Sequence, residues 1–89
     1  MIQQQITIIN KLGLHARAAS KLVNLASQFS SSVNLIHQGS EINAKSIMGV
    51  MMLAASKGTE MKLAVDGDDE QLCIQSLVEL INNRFDEPE

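Results

Sequence analysis

Apolar and polar positions alternate at the start of the chain: Ile2, Ile6 and Ile8 are separated by Gln3, Gln5 and Thr7. A period of two predicts a half-buried β-strand. Asn10-Lys11-Leu12-Gly13 interrupts it, with Gly13 free to take a backbone geometry that other residues resist. The period then lengthens. Ala16, Ala19, Leu22, Val23, Ala26 and Phe29 recur at helical spacing, predicting a helix from about Ala16 to about Gln28 that Ser30-Ser31-Ser32 ends. Val33 to His37 and Glu41 to Ala44 read as a short antiparallel pair joined through Gln38-Gly39-Ser40. Ser46 suits the cap of a short, strongly apolar helix from Ile47 to Leu53, and Lys57-Gly58-Thr59 forms a turn. Met61, Leu63 and Val65 alternate with Lys62 and Ala64 as a fourth strand. After Asp66-Gly67-Asp68 comes a last helix, about Asp69 to Arg84, whose early acids suit the positive helix end. Its stripe of Cys73, Leu77, Leu80 and Ile81 is expected to face the core.

The order is βαββαβα. Too few residues separate the second and third strands for a crossover helix, so that pair is antiparallel. The predicted fold class is α+β: an open-faced β-sandwich, a four-stranded antiparallel sheet with three helices on one face. Residues 1–89 make a single domain, long enough for a modest core without metals or disulfides. The tail Asp86-Glu87-Pro88-Glu89 is expected to fray.

Composition narrows the class. Hydrophobic residues make up 45%, too many for a disordered chain, and Phe29 and Phe85 are the only aromatics, so the core must rest on aliphatic and Met side chains. No apolar run approaches the length of a membrane span, and Met1-Ile2-Gln3-Gln4-Gln5 lacks the basic start of a signal peptide. Cys73 is alone and cannot form an internal disulfide. A soluble cytoplasmic protein is the expectation. The net charge of −3 is unevenly spread: residues 1–59 carry five basic residues against Glu41, whereas residues 60–89 carry nine acids against Lys62 and Arg84. A mildly basic first part would attract anions or an acidic protein face.

His15 stands in that basic part, between the first strand and the first helix. A helix start leaves N–H groups without intrahelical partners and carries partial positive charge, a seat for an anion such as phosphate. An imidazole there can act as a nucleophile, and Arg17 in the first helical turn can brace phosphoryl oxygens. Gly13 permits a tight approach, and Ala16 and Ala18 leave the backbone amides unshielded. The positive helix end disfavours the imidazolium form, which keeps the ring nucleophilic. No carboxylate lies nearby in sequence to hold that ring, and no Ser or Cys has the context of a nucleophile. A polar cap is the plain alternative; the combination of features favours a phosphohistidine site.

The run Lys11-Leu12-Gly13-Leu14-His15-Ala16-Arg17, with Asn43-Ala44-Lys45-Ser46-Ile47-Met48-Gly49-Val50-Met51 farther on, resembles the HPr family over essentially the whole chain. These are the histidine-containing phosphocarriers of the bacterial phosphotransferase system. The resemblance implies that His15 accepts a phosphoryl group on Nδ1, as a pros-phosphohistidine, from phosphorylated enzyme I. That enzyme draws it from phosphoenolpyruvate, and the carrier hands it to a IIA protein or domain. Arg17 matches the family's phosphate-bracing arginine. The family often has proline next; here it is Ala18, which restores one N–H donor and loosens one dihedral. Ala18→Pro is expected to leave phosphate acceptance intact.

As a cap, Ser46 is worth about 1 kcal/mol. The resemblance adds a second role, since the matching serine is the target of an HPr kinase/phosphorylase in many bacteria. A phosphate there would sit well on the helix dipole yet place negative charge where an acidic partner approaches. Ile47, Met48, Val50, Met51, Met52 and Leu53 are too many apolar residues for one buried stripe of a two-turn helix. Val50 and Leu53 are expected in the core, and Ile47, Met48 and Met51 in an exposed, adaptable patch beside His15. The resemblance implies that partners dock here, with Leu14 and Lys21 joining the patch. His37 matches no motif and is expected at the surface.

The phosphocarrier expected here is a monomer that uses no cofactor and is not itself an enzyme. The alternative is a regulatory binding module of the family's nitrogen branch, controlling partners by its phosphorylation state. Nucleic-acid binding is disfavoured, since no aromatic lies on any predicted strand and the chain is acidic. A metal site from His15, His37 and Cys73 lacks close ligand spacing.

Overall fold

Period-two alternation builds a sheet only when each strand finds a partner in the right register, and here every strand does. The computed structural model describes residues Met1–Glu89, with β1 (Ile2–Thr7), α1 (Ala16–Ala26), β2 (Ser32–His37), β3 (Ser40–Asn43), α2 (Ile47–Met52), β4 (Glu60–Asp66) and α3 (Glu70–Asn82), then a single 3-10 turn at Arg84–Asp86. The sheet order is β1-β4-β2-β3 and every pair is antiparallel. Register sets Ile6 opposite Met61, Val33 opposite Val65 and Leu35 opposite Leu63, so their apolar side chains share one face. Those residues are buried, and the helices pack over them as an open-faced sandwich.

The helices close the same core with Ala18, Ala19, Leu22 and Ala26 from α1, Val50 from α2, and Cys73, Ile74, Leu77 and Ile81 from α3. Ile74 takes a core position, whereas Leu80, assigned to the stripe, is only half-buried, as is Leu53. His37 is half-buried at the hairpin, in register with Ser40. That hairpin turns through Gln38 and Gly39 alone, both at positive φ (50° and 84°), the geometry that matches strand twist. Asp69 stands at the start of α3 but does not cap it. Its carboxylate accepts from the Ser30 and Ser31 amides (2.9 and 3.0 Å) and the Ser31 hydroxyl, tying the α1–β2 loop to α3.

Both long helices stop two residues short of expectation. The second case matters most. After Asn82 the chain enters left-handed geometry at Arg84, Phe85 and Asp86 (φ 57°, 53° and 63°), at a cost of about 1–2 kcal/mol per residue. Phe85 is fully buried, a gain of about 1.5–3 kcal/mol, and the Lys21 ammonium donates to its carbonyl at 3.0 Å. The turn reverses the chain and lays the last residues against the loop after β1. There the Lys11 amide donates to the Glu89 carbonyl at 3.0 Å. The tail does not fray, because Phe85 anchors it.

Candidate functional site

The loop after β1 brings His15 to its place through Gly13 and Leu14. Gly13 has φ +69°, and a Cβ there would collide with the Ala55 carbonyl and lie 2.8 Å from the Ser56 Cα. The Leu14 amide donates to that same carbonyl at 2.8 Å, which fastens the loop to the segment after α2. Only glycine lets the two backbones approach so closely.

His15 is the N-cap of α1, with extended backbone (φ −73°, ψ 177°), and its side chain makes no capping bond. The first ladder bond runs from the Ala19 amide to the His15 carbonyl at 2.8 Å. The amides of Ala16, Arg17 and Ala18 therefore precede the ladder and supply the positive end of the helix. The ring is 30% exposed and uses Nε2, which pairs with the Glu87 carboxylate; Nδ1 makes no hydrogen bond.

Glu87 is the residue that sequence reasoning missed. A carboxylate does hold the ring, but it comes from 72 positions away. Its other oxygen accepts from Asn10 at 2.8 Å, and the fully buried Asn10 amide also donates to the Gly13 carbonyl at 2.8 Å. Chiefly the Asn10 bond, and then the bond and charge of His15, hold the Glu87 carboxyl below the usual range against the opposing effect of burial. No local pattern marks either residue. The one available signal is Phe85, an aromatic just before the tail in a chain nearly without them.

Arg17 is exposed and makes no ion pair; with Lys11, Leu12, Glu87, Pro88 and Glu89 it lines an open cleft of about 360 Å³. The tail also corrects the charge reading. Glu89 pairs with Lys11 at 3.3 Å and Asp86 with Lys21 at 3.6 Å, so acids from the end of the chain return to the basic part. The surroundings of His15 are mixed in sign, not basic.

Ser46 caps α2 as expected, its hydroxyl accepting from the Gly49 amide at 3.2 Å. The helix α2 packs against α1 and exposes Ile47, Met48 and Met51 together with Met52, while Val50 is buried. Leu14 does not join that surface. It is buried in the core, and its amide is bonded to the Ala55 carbonyl. Lys21 is half-buried and committed to the tail. No group of three or more His, Cys, Asp or Glu side chains converges as metal ligands, and no helix is long and apolar enough to cross a membrane.

A family model described as the phosphotransferase-system HPr component phosphorylation site matches residues 2–83. The chain belongs to the HPr family. It is 55% identical over 89 residues to the phosphocarrier protein HPr of Cupriavidus necator, covering 100% of both chains. It is 54% identical over 87 residues to that of Xylella fastidiosa (Temecula1), covering 98% of each. The crystal structure of HPr from Thermoanaerobacter tengcongensis superposes with TM-score 0.96 at 46% identity, over 100% of both chains. An HPr dimer from the same organism matches with TM-score 0.79 at 47% identity, covering 98% of this chain and 100% of that one. As an HPr, the protein is a phosphocarrier of the phosphotransferase system, a family whose partners include enzyme I and IIA.

Proposed function

We propose that His15 is the phosphoryl acceptor, taking phosphate on Nδ1 from phosphorylated enzyme I, which phosphoenolpyruvate charges, and passing it to a IIA protein or domain. The observation that carries this reading is a partly exposed imidazole at the positive end of α1, with Nε2 engaged and Nδ1 free. The Glu87 carboxylate accepts at Nε2, so in the neutral ring Nε2 carries the proton and the lone pair lies on Nδ1. That nitrogen attacks phosphorus in line as the bond to the donor's histidine nitrogen breaks, the electron pair leaving with the donor. Positioning and charge stabilisation do most of the work.

Arg17, free of other pairing, braces the phosphoryl oxygens with its several N–H donors. The carboxylates of Glu87 and Glu89 line the same cleft and keep the hold on the anion moderate, which onward transfer requires. Residues 1–89 act as one domain, a cytoplasmic monomer that relays phosphate without turning over a substrate of its own.

Partners dock on the exposed face of α2 through Ile47, Met48 and Met51, beside α1. Ser46 is the site for an HPr kinase/phosphorylase: its exposed hydroxyl sits at the start of α2, where a phosphate is tolerated by the helix and repels an acidic partner.

Incubation with enzyme I and phosphoenolpyruvate is expected to add one acid-labile phosphoryl group to the wild type and none to His15→Ala, read by intact mass. Labelling that persists in His15→Ala would contradict the assignment.

A further inference from the structure

We propose that Glu87 is a positioning residue for phosphoryl transfer, holding the His15 ring by its Nε2 edge so that Nδ1 is presented to the incoming phosphorus. This rests on the reading of His15 as the acceptor. Three ion pairs join the tail to the loop after β1 and to α1, and they differ in their exposure to water. The Lys11 and Glu89 side chains are 68% and 69% exposed, those of Lys21 and Asp86 are 38% and 57%, but that of Glu87 is only 11%. Exposed pairs hold geometry poorly, whereas a shielded carboxylate with a donor on each oxygen is fixed.

The fixing is continuous. The Gly13 carbonyl holds the buried Asn10 amide, Asn10 holds one Glu87 oxygen, and the other oxygen holds His15. Backbone geometry agrees. Glu87 is extended (φ −90°, ψ 150°), and the following Pro88 disfavours the helical alternative at that position. Phe85 pins the preceding turn in the core.

The charge also balances. When Nδ1 forms its bond to phosphorus while keeping the proton on Nε2, the ring gains a positive charge beside the Glu87 carboxylate. When the phosphoryl group leaves, its bonding pair returns to Nδ1 and the ring is neutral again. The donor and acceptor proteins supply the other half of each exchange, so no further reactant is needed.

The test compares wild type, Glu87→Ala and Glu87→Gln as phosphoryl acceptors from enzyme I and phosphoenolpyruvate, with thermal melting to confirm folding. Glu87→Ala is expected to lower kcat roughly tenfold, with KM held within about twofold because the apolar docking face is untouched. Glu87→Gln keeps the length and an acceptor oxygen and should recover part of the loss. In proton–nitrogen NMR the His15 Nε2–H signal should be visible in wild type and lost to exchange in Glu87→Ala. A kcat for Glu87→Ala within about twofold of wild type overturns the proposal. So does a drop in Glu87→Gln as deep as in Glu87→Ala, or an Nε2–H signal that survives in Glu87→Ala. Failure of the wild type itself to become phosphorylated on His15 overturns the acceptor reading and the positioning role with it.

Discussion

Gly13 shows how one residue can decide the site. Its φ of +69° and its contact with the Ala55–Ser56 backbone leave no room for a side chain. Gly13→Ala should destabilise by about 2–4 kcal/mol, from left-handed strain plus overpacking. Gly39→Ala, at φ +84° with nothing within 4 Å, should cost only the strain, about 1–2 kcal/mol. Equal denaturation midpoints for the two variants would contradict the close-approach argument. Asp69 makes a second residue-scale case. The Ser31 hydroxyl first, then the Ser30 amide, lower its pKa from 3.8 to about 2. A lowered carboxylate pKa stabilises the fold above its unfolded value, and that contribution drains away as pH falls from 3.8 to about 2. The stability gap between wild type and Asp69→Asn should therefore shrink across that window in urea titrations; a constant gap would argue against it. Single residues of this kind were partly legible. The positive-φ need at Gly13 and the cap at Ser46 follow from local chemistry, but the partners of Asp69 lie 38 and 39 positions away and leave no local mark.

Elements were the most legible level, because a strand or helix is written in a short-range period. The order βαββαβα and the antiparallel β2–β3 hairpin both hold. The misses cluster where tertiary packing overrides pattern. The sequence pattern carries the last helix on to about Arg84, since nothing local announces three left-handed residues without glycine. Burial of Phe85 is what imposes that turn. Phe85→Ala should cost about 3–5 kcal/mol and free the tail, which hydrogen exchange at the Lys11 amide would report. Retained protection there would show that the tail has another anchor. The apolar excess of α2 was legible too: it exceeds what a two-turn helix can bury, and Met48 and Met52 are 69% and 78% exposed. The burial of Leu14, one residue from His15, is not legible, because adjacency in sequence says nothing about which way a loop residue turns.

At the scale of the whole molecule, the chain folds its acidic end back on its basic beginning. Asp86, Glu87 and Glu89 meet Lys21, His15 and Lys11, so a charge asymmetry drawn along the sequence is not one in space. Of the three carboxylates only that of Glu87, paired with His15, is largely shielded from water; the exposed pairs add little stability. The loop containing Gly13 thus ties the His15 ring both to the segment after α2 and, through Asn10 and Glu87, to the tail. The most direct measurement is long-range proton–nitrogen NMR on the chain after phosphorylation by enzyme I and phosphoenolpyruvate. The expected result is phosphorus bonded to Nδ1 of His15, with the proton still on Nε2. Phosphate on His37, on a serine or on Nε2 of His15 would contradict it.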